Sequence, residues 1–191
     1  MPSQASWSDD QGLFRLARGG EPKATRALVE SLSPRAHALA WRMLGDSAEA
    51  EDVLQEAFIR LFNGAEFQGQ SRLGTFFHTM VARLCLDRIR RRKPELLLDT
   101  QDFENLSEAE QSAVVDPEHQ LSDQQQADHM QAAIARLSPR QRMAISLWAY
   151  HDFEAIDIAR ALDCDLNAAH QCLHRAKISL RKLLQGNIGH E

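Results

Sequence analysis

The sequence predicts an all-α fold of two helical domains, an N-terminal helical bundle and a C-terminal helix-turn-helix, joined by an acidic flexible linker. Among its 191 residues are only 9 Gly, 6 Pro and 1 Tyr, while Ala, Leu, Gln, Glu and Arg are abundant; this composition favours helices. Several stretches repeat apolar residues at intervals of three and four, as amphipathic helices do. Charge is also segregated, because residues 94–135 hold ten acids and no Lys or Arg within a chain of net charge −5.

Other protein classes are disfavoured by composition. The three cysteines, Cys85, Cys164 and Cys172, are odd in number and form no CxxC, which argues against a disulfide scaffold or structural zinc. No uncharged apolar stretch approaches the roughly 18 residues of a membrane helix. The first residues lack the pattern of a signal peptide. We therefore expect a cytoplasmic protein with no direct insertion into a membrane.

The charge pattern and the helix signals divide the chain into four segments. We expect a disordered N-terminus at 1–10, a first module at 11–93, an acidic linker at 94–130 and a second module at 131–191. The first three helices are predicted near Asp10–Arg18, Lys23–Leu32 and Pro34–Leu44, with Gly45 as a helix stop.

A fourth helix is predicted to begin at Asp46, where residues 46–49 (DSAE) resemble a capping box. Its apolar residues share one stripe: Ala50, Val53, Leu54, Ala57, Phe58, Leu61 and Phe62. The residues off that stripe form an exposed acidic face: Glu51, Asp52, Gln55 and Glu56. Such a face is ordinarily only solvated, and becomes a docking surface when a basic partner is identified.

The loop at residues 63–74 (NGAEFQGQSRLG) is rich in Gly and amides, with Phe67 as its aromatic residue. Amide and hydroxyl groups can hydrogen-bond to base edges, and an aromatic ring can stack on a base. The alternative is that Phe67 folds back onto the core. From the residues alone, both interpretations stay open.

A long helix is predicted from Thr75, as its cap, to Lys93. Its C-terminal half is strongly basic: Arg83, Arg88, Arg90, Arg91, Arg92 and Lys93. Part of this charge suits the helix dipole. Six bases within eleven residues exceed that requirement and indicate contact with a nucleic-acid backbone.

The linker contains a polar, acidic stretch at residues 99–117 (DTQDFENLSEAEQSAVVDP). Its few apolar residues leave little surface to bury, which indicates a solvated spacer with little regular structure. The alternative is an acidic strand that mimics a phosphate backbone and occupies a basic groove until nucleic acid replaces it.

The second module has the outline of a helix-turn-helix. A helix starts at residues 138–141 (SPRQ), read as a capping box with proline at the first helical position. A second helix lies near Glu154–Leu162, and Asp165 caps a third after a short turn. The third helix has one buried stripe: Leu166, Ala169, Leu173, Ala176, Leu180 and Leu183. Its outward residues can donate to bases and phosphates: Asn167, His170, Gln171, His174, Arg175 and Lys177.

Metal binding and catalysis are disfavoured. His170 and His174 lie four apart on one face, with Cys172 between them and Cys164 nearby. Cys172 points elsewhere on the helix, and no acid lies four residues from either histidine on that face, so we expect no metal site. No Gly-rich phosphate loop, nucleophile elbow or carboxylate pair is present. We expect no catalytic residues, no cofactor and no enzymatic activity.

The order of these parts resembles a bacterial sigma factor of the small, extracytoplasmic-function (ECF) group, from about Leu13 to Leu184. Residues 45–46 (GD) and 50–58 (AEDVLQEAF) are similar to the family's polymerase-docking helix, and residues 75–93 to its promoter-melting and minus-ten-reading helix. Residues 137–142 (LSPRQR) and 173–176 (LHRA) are similar to the segment that reads the minus-thirty-five element. Within the family, the chain is similar to the sigma factor that governs cobalt and nickel resistance.

The resemblance implies roles for three sets of residues. The acidic face becomes a dock for core RNA polymerase: Glu51, Asp52, Gln55 and Glu56. A second set would hold the melted minus-ten DNA, with the loop around Phe67 as a pocket for a flipped base: Asn63, Phe67, Gln70, Ser71, Arg72, Phe76, Arg83, Arg90 and Arg91. A third set would read the minus-thirty-five duplex: Asn167, His170, Gln171, His174, Arg175 and Lys177.

This sequence departs from the family pattern at several positions, including some on the surfaces that would read the promoter. Phe76 and Phe77 stand where tryptophan and leucine are common, and Leu84 where asparagine is common. Asp163 replaces the usual turn glycine, and Asp accepts left-handed conformations better than most residues. His170 and Cys172 stand where Lys and Arg are common.

The implied partners are core RNA polymerase (through its β′ clamp helices and β flap), promoter DNA and an anti-sigma factor. Family anti-sigma factors are often membrane-anchored, so the cytoplasmic chain would then be held at the inner membrane. One rival hypothesis is an autonomous helix-turn-helix regulator that binds duplex DNA without polymerase. A second is a metal-dependent helical enzyme. The helix-turn-helix outline and the acidic face disfavour both.

Overall fold

The computed structural model describes residues 5–64, 67, 69, 71–92 and 123–186. Eight α-helices and no strand occur within these ranges, which confirms the predicted all-α fold class. The helices are α1 (Ala5–Arg18), α2 (Pro22–Leu44), α3 (Ser47–Asn63), α4 (Leu73–Arg92), α5 (Asp123–Ala135), α6 (Pro139–His151), α7 (Ala155–Leu162) and α8 (Leu166–Gly186). We call α1–α4 the N-terminal module and α5–α8 the C-terminal module.

Helix α2 is one helix, whereas the sequence analysis predicted two helices separated at Pro34. Proline removes a backbone N–H and ordinarily ends or kinks a helix. Here the apolar stripe continues through it, with Leu32 and Ala36 both buried on either side of the exposed Pro34. Burial of that continuous stripe outweighs the lost hydrogen bond. The predicted stop is confirmed, because Gly45 has φ 73° and its N–H donates to the carbonyl of Trp41.

Two other helix starts differ from the prediction. Helix α1 begins at Ala5, so residues 5–10, expected to be disordered, are helical; once a helix is nucleated, each added residue gains a hydrogen bond. Helix α4 begins at Leu73 rather than with Thr75 as its cap. The amide of Phe76 donates to the Arg72 carbonyl at 3.0 Å, and the buried Leu73 shifts the start upstream.

The C-terminal module contains the predicted helix-turn-helix, formed by α6, α7 and α8. Asp163 ends α7 in the left-handed conformation (φ 53°, ψ 57°), and the Asp165 carboxylate accepts a 2.8 Å hydrogen bond from the Ala168 N–H at the start of α8. Ser138 lies at the N-cap of α6, but its side chain makes no capping hydrogen bond. Pro139, whose fixed φ suits a first helical turn, starts that helix instead.

The segment between the modules is shorter than predicted. Helix α5 begins at Asp123, inside the 94–130 range expected to form the linker, and contacts α8 and α2. The acidic stretch 99–117 and the phosphate-mimic hypothesis lie outside the described residues.

The two modules pack against each other: α4 contacts α6 and α7, and α2 contacts α5 and α6. Buried apolar residues from both modules form one hydrophobic core, with Phe77 and Val81 from α4 and Leu147 and Ile158 from the C-terminal module among those fully buried. Among the described residues, no helix has the length and apolarity needed to cross a membrane.

Candidate nucleic-acid and protein-docking surfaces

Helix α3 presents the predicted acidic face because its opposite side is fixed in the core. The Asp46 carboxylate accepts a 2.9 Å hydrogen bond from the Glu49 N–H and sets the start of the helix. The buried side consists of Ala50, Val53, Leu54, Ala57 and Leu61. Glu51, Asp52 and Gln55 are consequently exposed, and Glu56 is partly exposed. The structure therefore brings all four predicted docking residues to one surface.

Ion pairs connect the acidic side of α3 to the basic end of α4. Asp52 lies 3.6 Å from Arg88, and Glu49 pairs with Arg92. Glu56 pairs at 2.5 Å with Arg60 on its own helix. The sequence analysis treated the acidic face and the basic cluster as separate surfaces. The structure makes them neighbours, so a partner that binds one changes the electrostatic surroundings of the other.

A groove of about 550 Å³ lies between the C-terminal end of α3 and the first half of α4. Its lining is Ile59, Arg60, Asn63, Gly64, Phe76, Thr79, Met80 and Arg83. Three of the residues predicted to hold minus-ten DNA, Asn63, Phe76 and Arg83, thus share one cavity. Ile59 on its rim is 60% exposed and was not singled out from the sequence. The apolar residues of the groove could stack against a flat ring with polar edges, and its two arginines could pair with an anionic group attached to that ring.

Phe67 lies against the core in this conformation. Its ring is 5.7 Å from that of Phe14, edge to face, and 5.3 Å from that of Phe76. Of the two interpretations left open by the sequence, the structure thus shows the one in which Phe67 folds back. The ring is only partly buried and borders the groove residue Phe76.

The remaining predicted minus-ten residues are spread over a wider area. Ser71 is partly exposed, and Arg72 is exposed just before α4. Arg90 and Arg91 are exposed near the other end of that helix, with Arg90 3.4 Å from Asp87. Gln70 lies outside the described residues.

Arg83 is bound to the C-terminal module. Its guanidinium donates to the carbonyl oxygen of Arg160 through Nε at 3.1 Å and Nη2 at 2.6 Å. The sequence analysis assigned Arg83 to DNA and did not foresee this contact, because its acceptor is a backbone atom 77 residues away.

Helix α8 exposes four of the six predicted minus-thirty-five residues: Asn167, His170, Gln171 and His174. Arg175 and Lys177 are partly buried. The ammonium of Lys177 lies 3.6 Å from the centre of the Trp148 ring, a cation–π contact that leaves Trp148 46% exposed. Leu166, expected in the buried stripe, is 45% exposed because it is the first residue of the helix.

Several ionisable groups are buried away from these surfaces. Burial raises the pKa of the Cys85 thiol to about 12. Burial also lowers the pKa of His78 and of Arg142. His151 is affected most, because burial, followed by the nearby His78, Arg42 and Arg35, lowers its pKa to about 3. Within the described ranges, no group of three or more His, Cys, Asp or Glu side chains is placed to hold a metal ion.

Comparison with known proteins matches both modules to one family. Residues 28–95 match Sigma-70 region 2, and residues 128–180 match Sigma-70 region 4. The ECF RNA polymerase sigma factor SigW of Bacillus subtilis (strain 168) is 30% identical over 178 residues, covering 90% of this chain and 95% of SigW. The ECF sigma factor SigM of Mycobacterium tuberculosis (strain H37Rv) is 28% identical over 176 residues, covering 92% and 84%.

Solved structures show the same fold. The sigma factor RpoE of Bartonella quintana, in complex with the anti-sigma factor NepR, has a TM-score of 0.61 at 22% identity, covering 85% of this chain and 98% of that one. CnrH in complex with the cytosolic domain of CnrY has a TM-score of 0.63 at 17% identity, covering 93% and 97%. The finer resemblance to a cobalt- and nickel-resistance factor stays a prediction. Both region matches and the length-wide similarity to SigW show that the chain belongs to the ECF group of the sigma-70 family of RNA polymerase sigma factors.

Proposed function

We propose that this sigma factor binds core RNA polymerase through the acidic face of α3 and directs it to a specific set of promoters. The observation that carries the docking assignment is the two-sided character of α3. Ala50, Val53 and Ala57 are fully buried, while Glu51 and Asp52 are exposed. A rigidly held acidic surface is complementary to the basic clamp helices of the polymerase β′ subunit.

The groove beside α4 would capture the melted minus-ten element. Phe76 offers an aromatic surface, Asn63 an amide, and Arg60 and Arg83 positive charge. Stacking with cationic flanks is the general solution for single-stranded nucleic acid. The exposed Arg90 and Arg91 would contact the backbone farther along α4. Phe67 would join this site only if it left its contacts with Phe14 and Phe76.

The exposed face of α8 would read the minus-thirty-five duplex in the major groove. It follows a tight turn after α7 and presents His170, Gln171 and His174 to solvent, as a recognition helix does. Amide side chains can pair with adenine edges, while arginine favours guanine. Placement of this helix on DNA would involve contact between its module and the polymerase β flap.

An anti-sigma factor is a further proposed partner. Two structural relatives were solved with NepR and with the cytosolic domain of CnrY, and the proposed partner would act on this chain in the same general way. We place the chain in the cytoplasm, with a membrane-anchored inhibitor as the means of holding it at the inner membrane. As an initiation factor it would act without enzymatic activity of its own, because the catalytic centre belongs to the polymerase.

Transcription in vitro tests the proposed function. The purified chain is added to core RNA polymerase with a genomic promoter library, and transcripts are sequenced. We expect initiation at a small set of promoters that core polymerase alone does not use. Initiation no greater than with core polymerase alone would refute the function. Tight specific binding of the isolated chain to duplex DNA would instead favour an autonomous regulator.

Charge reversal tests the docking surface. The double variant Asp52→Lys and Glu56→Lys should weaken binding to core polymerase at least tenfold, because both lysines would face a basic partner. The matched control is Glu30→Lys, an exposed acid on α2 outside the surface. Circular dichroism verifies that helicity is retained. Unchanged polymerase affinity in the folded double variant would remove α3 as the dock.

A further inference from the structure

The interface between the two modules is held by cations that bind across it. Arg83 on α4 donates to the Arg160 carbonyl of α7. In the opposite direction, Arg142 on α6 donates through Nη1 to the Met43 carbonyl of α2 at 3.3 Å. The Arg42 guanidinium lies over the Tyr150 ring, 3.9 Å from its centre. The free chain is therefore closed, with one module covering part of the other.

Two histidines meet inside this interface. His78 on α4 is 6% exposed and His151 at the end of α6 is 8% exposed, and their ring centres are 4.5 Å apart. The Nδ1 of His78 donates to the Gly74 carbonyl oxygen at 2.6 Å, which makes its Nε2 an unprotonated acceptor. That Nε2 and both ring nitrogens of His151 are buried without a hydrogen-bond partner in the described part of the chain. Such groups are better satisfied in water than in this interface.

The surroundings of the pair oppose any positive charge. His78 faces His151 from α4, and Arg35 and Arg42 act on His151 from α2. Phe153, just after α6, meets the His151 ring edge to face at 6.4 Å. Burial contributes most to the lowered pKa of both histidines; for His78 it is opposed by the Gly74 hydrogen bond and reinforced by Arg35. The closed interface thus accepts two neutral imidazoles and excludes an imidazolium.

We propose that His78 and His151 form a proton-sensitive latch, which permits the modules to close while both rings are neutral and releases them when either ring is protonated. The proton would be taken up from water as the interface separates. The ring then keeps its charge in solvent, away from Arg35 and Arg42. The latch is a property of the free chain and goes beyond the proposed binding of polymerase and promoter. Its test is therefore independent of the test of the proposed function.

The sign of the pH dependence follows from linkage. In the open form both imidazoles are hydrated and titrate near pH 6.5, whereas in the closed form the pKa of His151 is about 3. The open form binds more protons between these values. Closure is thus fully favoured above about pH 6.5 and weakens as pH falls toward 3, by about tenfold in the closed-to-open ratio for each pH unit through His151. The lowered pKa of His78 weakens closure in the same direction.

Small-angle X-ray scattering of the full chain tests the latch. We expect a compact particle at pH 7.5 and a larger radius of gyration at pH 5.0, with helicity unchanged by circular dichroism. For His151 alone the ratio should move about 30-fold toward the open form between pH 7.5 and 5.0. A radius of gyration that stays constant over this range would overturn the proposal.

Variants assign the effect to the pair. The double variant His78→Phe and His151→Phe keeps aromatic volume without a titratable group, and should remain compact at pH 5.0. His37→Gln removes a partly exposed imidazole of α2 and should open like the wild type. Opening of the double variant at pH 5.0 to the same extent as the wild type would contradict the latch.

If the double variant does not fold, nuclear magnetic resonance of the wild-type full chain with ¹³C-labelled histidine tests whether protonation of His78 and His151 is coupled to opening. The His78 and His151 resonances should keep their neutral shifts at pH 6 and change only together with opening. Titration of either ring near pH 6.5 in a chain that remains compact would overturn the proposal.

Discussion

The guanidinium of Arg83 on α4 donates two hydrogen bonds to the carbonyl oxygen of Arg160 on α7, at 3.1 Å from Nε and 2.6 Å from Nη2. Arg160 lies in the last turn of α7, where carbonyl oxygens attract cations. Arg83 also lines the groove proposed to hold minus-ten DNA. The closed chain and the promoter would therefore compete for one side chain.

Removal of this side chain should open the free protein. We expect Arg83→Ala to weaken closure by about 1 kcal/mol, since both hydrogen bonds to the Arg160 carbonyl are lost, at an exposed site where water competes for the same groups. That corresponds to about a fivefold rise in the open-to-closed ratio, measured as a larger radius of gyration at pH 7.5. Arg91→Ala, at an exposed position of the same helix, is the control. Equal radii of gyration for the two variants and the wild type would show that the bond does not hold the modules.

The helices were predictable where their signals are local. The Asp46 and Asp165 caps each bond to an amide three residues away, so the side chain and its partner both appear in a short stretch of sequence. The acidic face of α3 followed from the spacing of its buried residues in the same way. Pro34 misled the prediction because burial along the whole of α2 overrides a local rule.

The relationship between the modules was not predictable from residue patterns. Arg142 reaches the Met43 carbonyl across 99 residues of sequence, and backbone acceptors leave no signature in residue type. Lys177 was assigned to DNA by its position on α8, whereas its stacking on Trp148 depends on how α6 and α8 pack. Contacts of this kind arise only once helices are arranged in space.

Asp163 offers a test of stored backbone strain. It is held at φ 53° and ψ 57°, a left-handed conformation that a β-carbon disfavours. Asp163→Gly should therefore raise the free energy of unfolding by about 0.5–1 kcal/mol, after allowing for the greater entropy of glycine in the unfolded chain. The midpoint of thermal unfolding should rise by about 1–4 °C. Asp163→Val, the matched control, should lower it, and a lower midpoint for the glycine variant would contradict the strain argument.

Cys85 should be chemically inert in the folded chain. It is fully buried in α4, and its pKa is raised to about 12 by burial. At pH 8 its thiolate fraction is about a thousandfold below that of an ordinary thiol with a pKa near 9. Mass spectrometry after iodoacetamide treatment should show slow alkylation at Cys85 natively and fast alkylation of the same peptide in urea. Comparable rates in both conditions would mean that α4 opens readily.

Two residues in the middle of α8, Arg175 and Lys177, allow contact with a base to be distinguished from attraction to the DNA backbone. In holoenzyme bound to a minus-thirty-five duplex, Arg175→Ala should lower affinity by about 1–3 kcal/mol and relax the preference at one base pair, if the guanidinium contacts a base.

Lys177→Ala should weaken binding to all duplexes alike and reduce the salt slope by about one, as expected for a phosphate contact. It should also alter Trp148 fluorescence in the free chain, because the ammonium lies 3.6 Å from that ring. Lys182→Ala, at an exposed position farther along α8, is the control. An unchanged salt slope for Lys177→Ala, together with altered Trp148 fluorescence, would show that Lys177 contacts Trp148 but no DNA phosphate.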